Sequence, residues 1–265
     1  MNPTVRRFFD YELSKRPAVR DNYLALEHVK SKPFSYGALK GRIQFNPARI
    51  VSTSAKTDRI SLEKRPCFLC GHNRPADQSA LQISKDWELL VNPFPILPYH
   101  FTIASTSHIP QNPDFLTGIE LADKLDGMVV FFNDDGAGAS APDHLHFQAV
   151  PEGFLPLMDL IDNKVPLPFK AYTGVYDSSL TPDIPFMSER PLNMYFRKTP
   201  KGIRYAVIPR KAHRPAEFFL DPPHRIMVSP GGIDIAGIFI VPVEEDYNRI
   251  TDKDVENIYN QVTFK

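Results

Sequence analysis

The chain has 265 residues, which is long enough for one large domain or two smaller ones. Lys and Arg together number 31, as do Asp and Glu, so the formal net charge is zero. This balance does not indicate electrostatic attraction to nucleic acid or to an anionic membrane. No apolar run approaches the roughly 20 residues that span a bilayer, and the start, MNPTVRRFFDYELSKR, lacks the charged-then-apolar pattern of a signal peptide. We therefore expect a soluble, cytoplasmic protein.

The first part of the chain, residues 1–40, is predicted to be an N-terminal helical segment, because apolar residues recur at helical spacing on both sides of Pro17. The next part, residues 41–155, opens with the strand-like GRIQFNPARI and continues with the strands DWELLVN and HFTIAST. NPDFLTGIELADKLDG then predicts a helix and MVVFFN a buried strand. HLHFQAV predicts a further strand after the glycine-rich loop DDGAGASAP.

The last part, residues 156–265, resembles a degenerate copy of the preceding one. YAVIPRKAHRPAEFF echoes HFTIASTSHIPQNPDFL, so that His213 takes the place of His108. NMYFRKT and GIDIAGIFIVPV predict strands, and TDKDVENIYNQV predicts a closing helix that is N-capped by Thr251. We take the charge run RKAHR at 210–214 for a solvated face and His213 for a structural or solvent-facing residue. The expected class is α+β, with two tandem halves of antiparallel sheet and packed helices.

The segment HLHFQ is the strongest candidate for chemistry. Strand alternation would place His144, His146 and Gln148 on one face. An imidazole is uncharged near neutral pH and carries a directional lone pair, so it can attack phosphorus when its other nitrogen is held by a carbonyl. The amide N–H of Gln148 could stabilise the charge that develops on the phosphate.

The loop before these histidines has the composition of an anion site. Free backbone N–H groups of Gly136 to Gly138, together with the hydroxyl of Ser140, could accept a phosphate. Asn133, at the end of the preceding strand, could pin the loop. We therefore count Asn133, Gly136 and Gly138 as substrate-binding candidates and Ser140 as a catalytic one.

The two cysteines of the chain, Cys67 and Cys70, are spaced as C-x-x-C. This spacing is typical of a metal clip or a redox pair more than of a structural disulfide. A thioredoxin-like site would have the second cysteine open a helix, whereas Gly71 and Asn73 follow here. The pattern therefore favours zinc over redox chemistry.

NDDGAGASAPDHLHFQ resembles the active-site segment of the histidine-triad-like (HIT-like) nucleotidyltransferases. These include galactose-1-phosphate uridylyltransferase, diadenosine-tetraphosphate phosphorylase and GDP-hexose phosphorylase, and the segment is most similar to an uncharacterised bacterial domain family beside them. The resemblance covers residues 41–150 well and the second half loosely. It implies that His146 forms a covalent nucleotidyl intermediate, that Gln148 hydrogen-bonds the transferred phosphate and that Ser140 contacts the distal one.

CFLCGHNR resembles the zinc-binding segment of the uridylyltransferases. That resemblance implies that Cys67, Cys70, His108 and His144 bind a structural zinc ion. Two thiolates and two imidazoles are suited to a closed tetrahedral site. Such a site would tie the cysteine segment to the strand of the nucleophile.

Other positions are assigned from their place in the chain. Arg49 and Lys56 are candidates for binding nucleotide phosphates, although solvated charge is the alternative. His100 could meet a leaving phosphate. Asp143 stands where the uridylyltransferase pattern has Pro, and Phe147 stands where it has a small residue. These departures weaken any assignment of the base or of the acceptor.

These patterns predict a nucleotidyltransferase or phosphorylase acting on a nucleoside diphosphate sugar or a dinucleoside polyphosphate, with phosphate or a sugar phosphate as acceptor. The alternatives are a non-catalytic nucleotide-binding module and a C-x-x-C thiol-redox protein. The resemblance also raises a homodimer as an alternative to a monomer.

Overall fold

Short helices and two β-sheets make up the fold of the residues described by the computed structural model, 1–55, 58–112, 114–177 and 188–265. The helices are α1 (Pro3–Lys15), α2 (Pro17–Leu24), α3 (Ile50–Thr53), α4 (Arg59–Glu63), α5 (Phe115–Lys124), α6 (Pro156–Asp162), α7 (Gly232–Ile235), α8 (Glu244–Arg249) and α9 (Asp252–Val262). The strands are β1 (Ser31–Tyr36), β2 (Leu39–Phe45), β3 (Leu81–Ser84), β4 (Trp87–Val91), β5 (Phe101–Ser105), β6 (Met128–Asn133), β7 (His146–Pro151), β8 (Tyr172–Tyr176), β9 (Leu192–Thr199), β10 (Gly202–Pro209) and β11 (Ile238–Val241). The predicted α+β class is confirmed.

The larger sheet has eight strands in the order β3-β4-β5-β7-β6-β9-β10-β8, and every neighbouring pair is antiparallel. The β6–β9 pair joins the strands of the two predicted halves, with Phe131 opposite Tyr195. A smaller sheet has the order β1-β2-β11, in which β11 runs parallel to β2. Both sheets therefore combine early and late parts of the chain. The division into residues 1–40, 41–155 and 156–265 stays a prediction.

The alternation along β7 separates an apolar face of the larger sheet from a polar one. Phe147 and Ala149 belong to an apolar cluster shared with α1, α2 and α5. His146 and Gln148 lie on the opposite face, because successive side chains of a strand point to opposite sides. Helix α5 lies so close to the sheet that a Cβ atom at Gly118 would stand 2.2 Å from the Phe196 ring. The helices therefore pack on the face of the sheet opposite His146 and Gln148.

Two element predictions need correction at their boundaries. The helices of the segment 1–40 are followed by β1, which pairs with β2. The strand predicted for HLHFQAV begins at His146, so His144 lies in the preceding turn and does not share the strand face of His146 and Gln148. The closing helix is confirmed, with the Thr251 side chain accepting the Asp254 N–H.

The strand predicted for GIDIAGIFIVPV is wrong in its first half, which forms α7 before β11 begins. The carboxylate of Asp234 explains the difference. One of its oxygens accepts the Gly231 N–H at 2.9 Å and the other accepts the Ile240 N–H at 2.8 Å. This carboxylate holds a helical turn against the start of the strand.

The prediction that the run at 210–214 faces solvent is wrong for Arg210, whereas Lys211 is exposed as predicted. Arg210 is 1% exposed and donates to Asn193 Oδ1 at 2.6 Å and to the Val262 carbonyl at 2.9 Å. The run follows directly on β10, and an isolated bridge pairs Arg210 with Thr263 near the end of the chain. Arg210 is therefore drawn into the interior, where carbonyl and amide oxygens accept its hydrogen bonds.

The helices of the described residues are relevant to membrane spanning. None combines the length and the apolar character that crossing a bilayer requires.

Candidate active site

A cleft of about 520 Å³ lies over the polar face of the larger sheet. Its floor includes Leu90, Thr102, Gln148 and Phe131, which stand in register on β4, β5, β7 and β6. Neighbouring strands are about 4.8 Å apart, so these positions span about 14 Å. His146 lines the cleft beside Gln148. The floor has room for an extended ligand.

The ring of His146 is buried and held in one tautomer. Its Nδ1 lies 2.8 Å from the carbonyl oxygen of His144, and since a carbonyl can only accept, Nδ1 carries the proton. The Nε2 atom is then an acceptor with a free lone pair. Burial lowers the pKa of His146 to about 4, so the ring is neutral at pH 7. The ring therefore presents a neutral Nε2 that could act as a nucleophile.

The orientation of the Gln148 amide follows from His100. The backbone N–H of Ile96 donates to Nδ1 of His100 at 3.3 Å, so Nε2 of that ring carries the proton and donates to Gln148 Oε1 at 2.8 Å. The amide nitrogen of Gln148, which lines the cleft, is left as a donor. His100 itself is fully buried behind Gln148. Burial, with a smaller contribution from the Arg49 cation, lowers the pKa of His100 to about 3.

Gln111 holds the main chain of His146, and no sequence pattern predicts this role. Its Oε1 accepts the His146 N–H at 2.9 Å, while its Nε2 donates to the carbonyls of His146 and Asn133 at 3.0 and 2.8 Å. The side chain is 4% exposed. One amide thus connects the start of β7 with the end of β6.

The glycine-rich loop between β6 and β7 borders the cleft. Gly136 and Gly138 have φ angles of 77° and 100°, a region that favours glycine. Gly138 and Ser140 line the cleft, and Ser140 is exposed. Asn133 also lines it, and its Oδ1 accepts the Gly232 N–H at 2.8 Å. Of the predicted loop residues, Asn133, Gly138 and Ser140 meet at the cleft and Gly136 shapes the loop.

Residues of the second half form a wall of this cleft. The loop that carries Gly231 packs so tightly on the glycine-rich loop that a Cβ atom at Gly138 would stand 2.5 Å from the Gly231 Cα. His213, Arg214 and Ser229 line the cleft beside it. The expectation that His213 is structural or solvent-facing therefore missed a cleft residue. The similarity of its segment to that of His108 was a signal, but it did not indicate a shared site.

Of the arginines that the structure describes, three line the cleft. Arg49, a predicted phosphate-binding residue, donates through Nη1 to the Phe94 carbonyl at 2.8 Å. Burial lowers its pKa to about 10, so it stays charged at neutral pH. Arg16, at the end of α1, and Arg214 complete the set. The predicted phosphate ligand Lys56 lies outside the described residues.

Cys67, Cys70, His108 and His144 bring their ligand atoms within 4.8 Å of one another. The Cys67 Sγ–His144 Nδ1 and Cys70 Sγ–His108 Nδ1 distances are 3.3 and 3.2 Å. In a tetrahedral zinc site the sulfur and nitrogen ligands are about 3.5 Å apart. Nε2 of His144 donates to the Ser105 carbonyl at 2.9 Å, which leaves Nδ1 free to bind. The four residues fit one metal ion.

A salt bridge gives the cysteine segment a second attachment to the histidine strand. Arg65 donates to Asp143 at 2.7 Å, directly before His144. Asp143 is the residue that departs from the uridylyltransferase pattern. In this chain it binds the turn before β7 to the segment of the cysteines.

Solved structures of the yeast Ap4A phosphorylase Apa2 are similar to this chain. The structure named without a ligand has 18% sequence identity and a TM-score of 0.59, with 94% of this chain and 97% of that chain covered. The complex with AMP, also 18% identical, gives a TM-score of 0.57 over 94% and 96% of the two chains. The complex with Ap4A, again 18% identical, gives 0.59 over 95% and 97%. This similarity confirms the predicted HIT-like fold.

No curated protein matches the chain. The model of one family, described as a domain of unknown function (DUF4922), matches residues 8–151. This match covers more than half of the chain and includes the cysteine pair, the glycine-rich loop and the histidine strand. The chain belongs to the DUF4922 family.

Proposed function

We propose that the protein transfers a nucleotidyl group from a nucleoside polyphosphate or a nucleoside diphosphate sugar through a covalent nucleotidyl-histidine. Nε2 of His146 attacks the α-phosphorus, an N–P bond forms, and the bond from phosphorus to the bridging oxygen breaks with its electron pair. The leaving group departs as a phosphate or phosphate ester. A phosphate oxygen of the acceptor then attacks the same phosphorus, the N–P bond breaks, and the neutral imidazole returns.

The hydrogen bond from Nδ1 of His146 to the His144 carbonyl carries this proposal. It leaves the lone pair of Nε2 free. After nucleotidyl transfer to Nε2, the carbonyl oxygen stabilises the positive charge of the ring. Burial of the ring keeps it unprotonated at neutral pH. A histidine with these three properties in a cleft is suited to nucleophilic catalysis.

Charge that develops on the phosphate needs donors that are already in place. The amide nitrogen of Gln148 is such a donor, because His100 occupies its oxygen. The hydroxyl of Ser140 and the backbone N–H groups around Gly138 are the further donors we assign. Preorganised donors of this kind are worth about a hundredfold to a thousandfold in kcat each.

The metal group has a structural role in this proposal. Cys67, Cys70, His108 and His144 would hold a zinc ion, which with four protein ligands has no open position and serves to fix its ligands. His144 is at once a predicted ligand and the residue whose carbonyl orients His146. The chain itself therefore connects the metal group to the nucleophile.

The cleft supports a nucleotide as substrate. Its volume of about 520 Å³ lies in the range of small-molecule sites, about 300 to 1,000 Å³. Arginines line it, which suits a polyphosphate. Solved structures with this fold are named as complexes with AMP and Ap4A. A dinucleoside polyphosphate or a nucleotide sugar is the substrate class that we assign, and a homodimer stays a prediction.

The adduct itself tests the proposal. The protein is incubated with α-³²P-labelled dinucleoside polyphosphates and nucleotide sugars without acceptor, and denatured protein is examined for acid-labile label. We expect label on the wild type and none on His146→Ala, while His28→Ala, an exposed histidine on the N-terminal segment, is labelled normally. Binding without label across the panel would favour the non-catalytic module and contradict the enzyme.

A further inference from the structure

The second half of the chain places an arginine beside the phosphate-binding loop. The loop of Ser229 to Gly231 packs on Gly138, and Arg214 donates from Nε to Ser229 Oγ at 3.1 Å. The same hydroxyl lies 2.7 Å from His213 Nε2. Arg214, His213 and Ser229 all line the cleft. They form a connected polar group next to the glycine-rich loop.

Three hydrogen bonds hold the Arg214 guanidinium, and they involve only its Nε and Nη2 atoms. Nη2 donates to the carbonyls of Thr53 and Ala55 at 3.0 and 2.8 Å, and the Phe218 ring lies 4.2 Å from the guanidinium carbon. Within the described parts of the chain, Nη1 has no hydrogen-bond partner. A guanidinium clamped on one edge and open on the other is preorganised for an oxyanion.

The surrounding charge also favours an anion. Arg49 lines the same cleft, and in the described ranges neither Arg49 nor Arg214 forms a salt bridge. The acid that lines the cleft, Asp234, uses its two oxygens to accept the N–H groups of Gly231 and Ile240. Both arginines are therefore available to a ligand.

We infer that Arg214, assisted by Arg49 and oriented by Ser229, binds the phosphate beyond the α-phosphate. In the proposed function, on which this inference rests, that phosphate belongs to the leaving group in the first step and to the acceptor in the second. The subsite takes a phosphate monoester or one phosphate of a diphosphate, through the Nη1 edge of Arg214. The second half, which lacks an H-x-H motif, thus contributes substrate binding.

Binding measured without turnover tests the subsite. Affinities for AMP, GMP, UMP and CMP identify the preferred monophosphate, and its α,β-methylene diphosphate, which cannot be cleaved at that position, supplies the second phosphate. Titration calorimetry on the wild type should show the diphosphate analogue binding at least about tenfold more tightly, since hydrogen bonds to charged groups are worth this much. In Arg214→Gln most of this preference should be lost, with the monophosphate affinity changed by less than about twofold.

Matched variants separate binding from structure. Lys201→Gln, an exposed charge at the β9–β10 turn, should keep the full preference. Ser229→Ala, which removes only the hydroxyl that orients Nε, should reduce the preference partly and serves if Arg214→Gln does not fold. An unchanged preference in Arg214→Gln, or an equal loss for both ligands, would overturn the subsite. A wild type that binds no monophosphate would instead overturn the proposed nucleotide function.

Discussion

His144 and His146 are joined by a hydrogen bond from the ring Nδ1 of His146 to the backbone carbonyl of His144, 2.8 Å long. The ring of His144 points the other way, with Nδ1 3.3 Å from Cys67 Sγ. One residue therefore belongs to the metal group through its side chain and orients the neighbouring ring through its main chain. Any change that releases the ring of His144 should also disturb His146.

The metal group gives the first prediction. Purified protein should contain about one zinc per chain, and Cys67→Ser and His108→Ala should lose it. Loss of a metal site is among the large destabilising effects, about 4 kcal/mol or more, which corresponds to a Tm lowered by about 8 to 16 °C. Metal analysis and thermal unfolding measure both quantities.

The same segment contains a matched control for these variants. His72, which lies next to Gly71 after the cysteine pair, is exposed and is not one of the four grouped residues. His72→Ala should keep the full metal content and the wild-type Tm. A metal-free protein with two titratable thiols would contradict the site and would favour the redox alternative.

The second prediction concerns His100, which is buried and contacts the cleft through Gln148. In His100→Leu the Gln148 oxygen loses its donor, so the amide can invert and present oxygen to the phosphate. We expect kcat to fall about tenfold to a hundredfold with a smaller change in KM, less than for the outright loss of one preorganised donor, because the Gln148 amide can still adopt the donating orientation. Steady-state kinetics on the preferred substrate measure the changes in kcat and in KM separately.

Coupling distinguishes this role from a general packing defect. If His100 acts through Gln148, the variant His100→Leu/Gln148→Ala should be no slower than Gln148→Ala alone, because residues that act as a unit are not additive. Equal and independent losses from the two substitutions would mean that His100 does not position the amide.

Much of the site was predictable because its signals are local. The spacing of Cys67 and Cys70, the glycine-rich loop and the period of β7 depend on neighbours in the chain. Their assembly with His108 follows because β5 and β7 pair in the sheet, Ala104 opposite His146. Short-range patterns were therefore sufficient for the cysteine pair and for the position of His146, whereas the full ligand group was predicted from the resemblance to the uridylyltransferases.

The rest depends on contacts between distant parts of the chain. Arg214 donates to Thr53 and Ala55, about 160 positions away, and Gln111 spans 35 positions to reach His146. A single arginine or glutamine in a polar stretch has no period and no characteristic spacing. Such residues are identified by the hydrogen bonds that packing allows them, so sequence patterns alone could not distinguish Arg214 from a solvated charge.

The third prediction compares two neighbouring cations of the run at 210–214. Arg210 is buried and donates to Asn193, Val262 and Pro230, whereas Lys211 is exposed. Arg210→Met leaves several buried acceptors without a donor and should cost about 3 kcal/mol or more of unfolding free energy. Lys211→Met should change it by less than about 0.5 kcal/mol. Urea unfolding measures both, and similar losses in the two variants would refute the interior role of Arg210.

The last prediction concerns Asp234. Burial raises the pKa of this residue from 3.8 to about 6. An acid that binds its proton more tightly in the folded chain makes stability fall as pH rises between its unfolded and folded pKa values. Ionisation of Asp234 therefore costs no unfolding free energy below about pH 4 and its maximum above about pH 6. This maximum is about 3 kcal/mol. Asp234→Asn does not titrate, so the stability of the wild type relative to this variant should fall between pH 4 and pH 7.

Urea unfolding at several pH values measures that difference, and its slope is the informative quantity, since the loss of one acceptor in Asn shifts the variant equally at every pH. Asp10→Asn, an exposed acid on α1, corrects for the general effect of removing a carboxylate. Two backbone N–H groups and the cations of Arg49 and Arg210 act against burial on Asp234. If the relative stability of the wild type rises with pH instead, these donors and cations outweigh burial, and the pKa of Asp234 in the folded chain lies below its unfolded value.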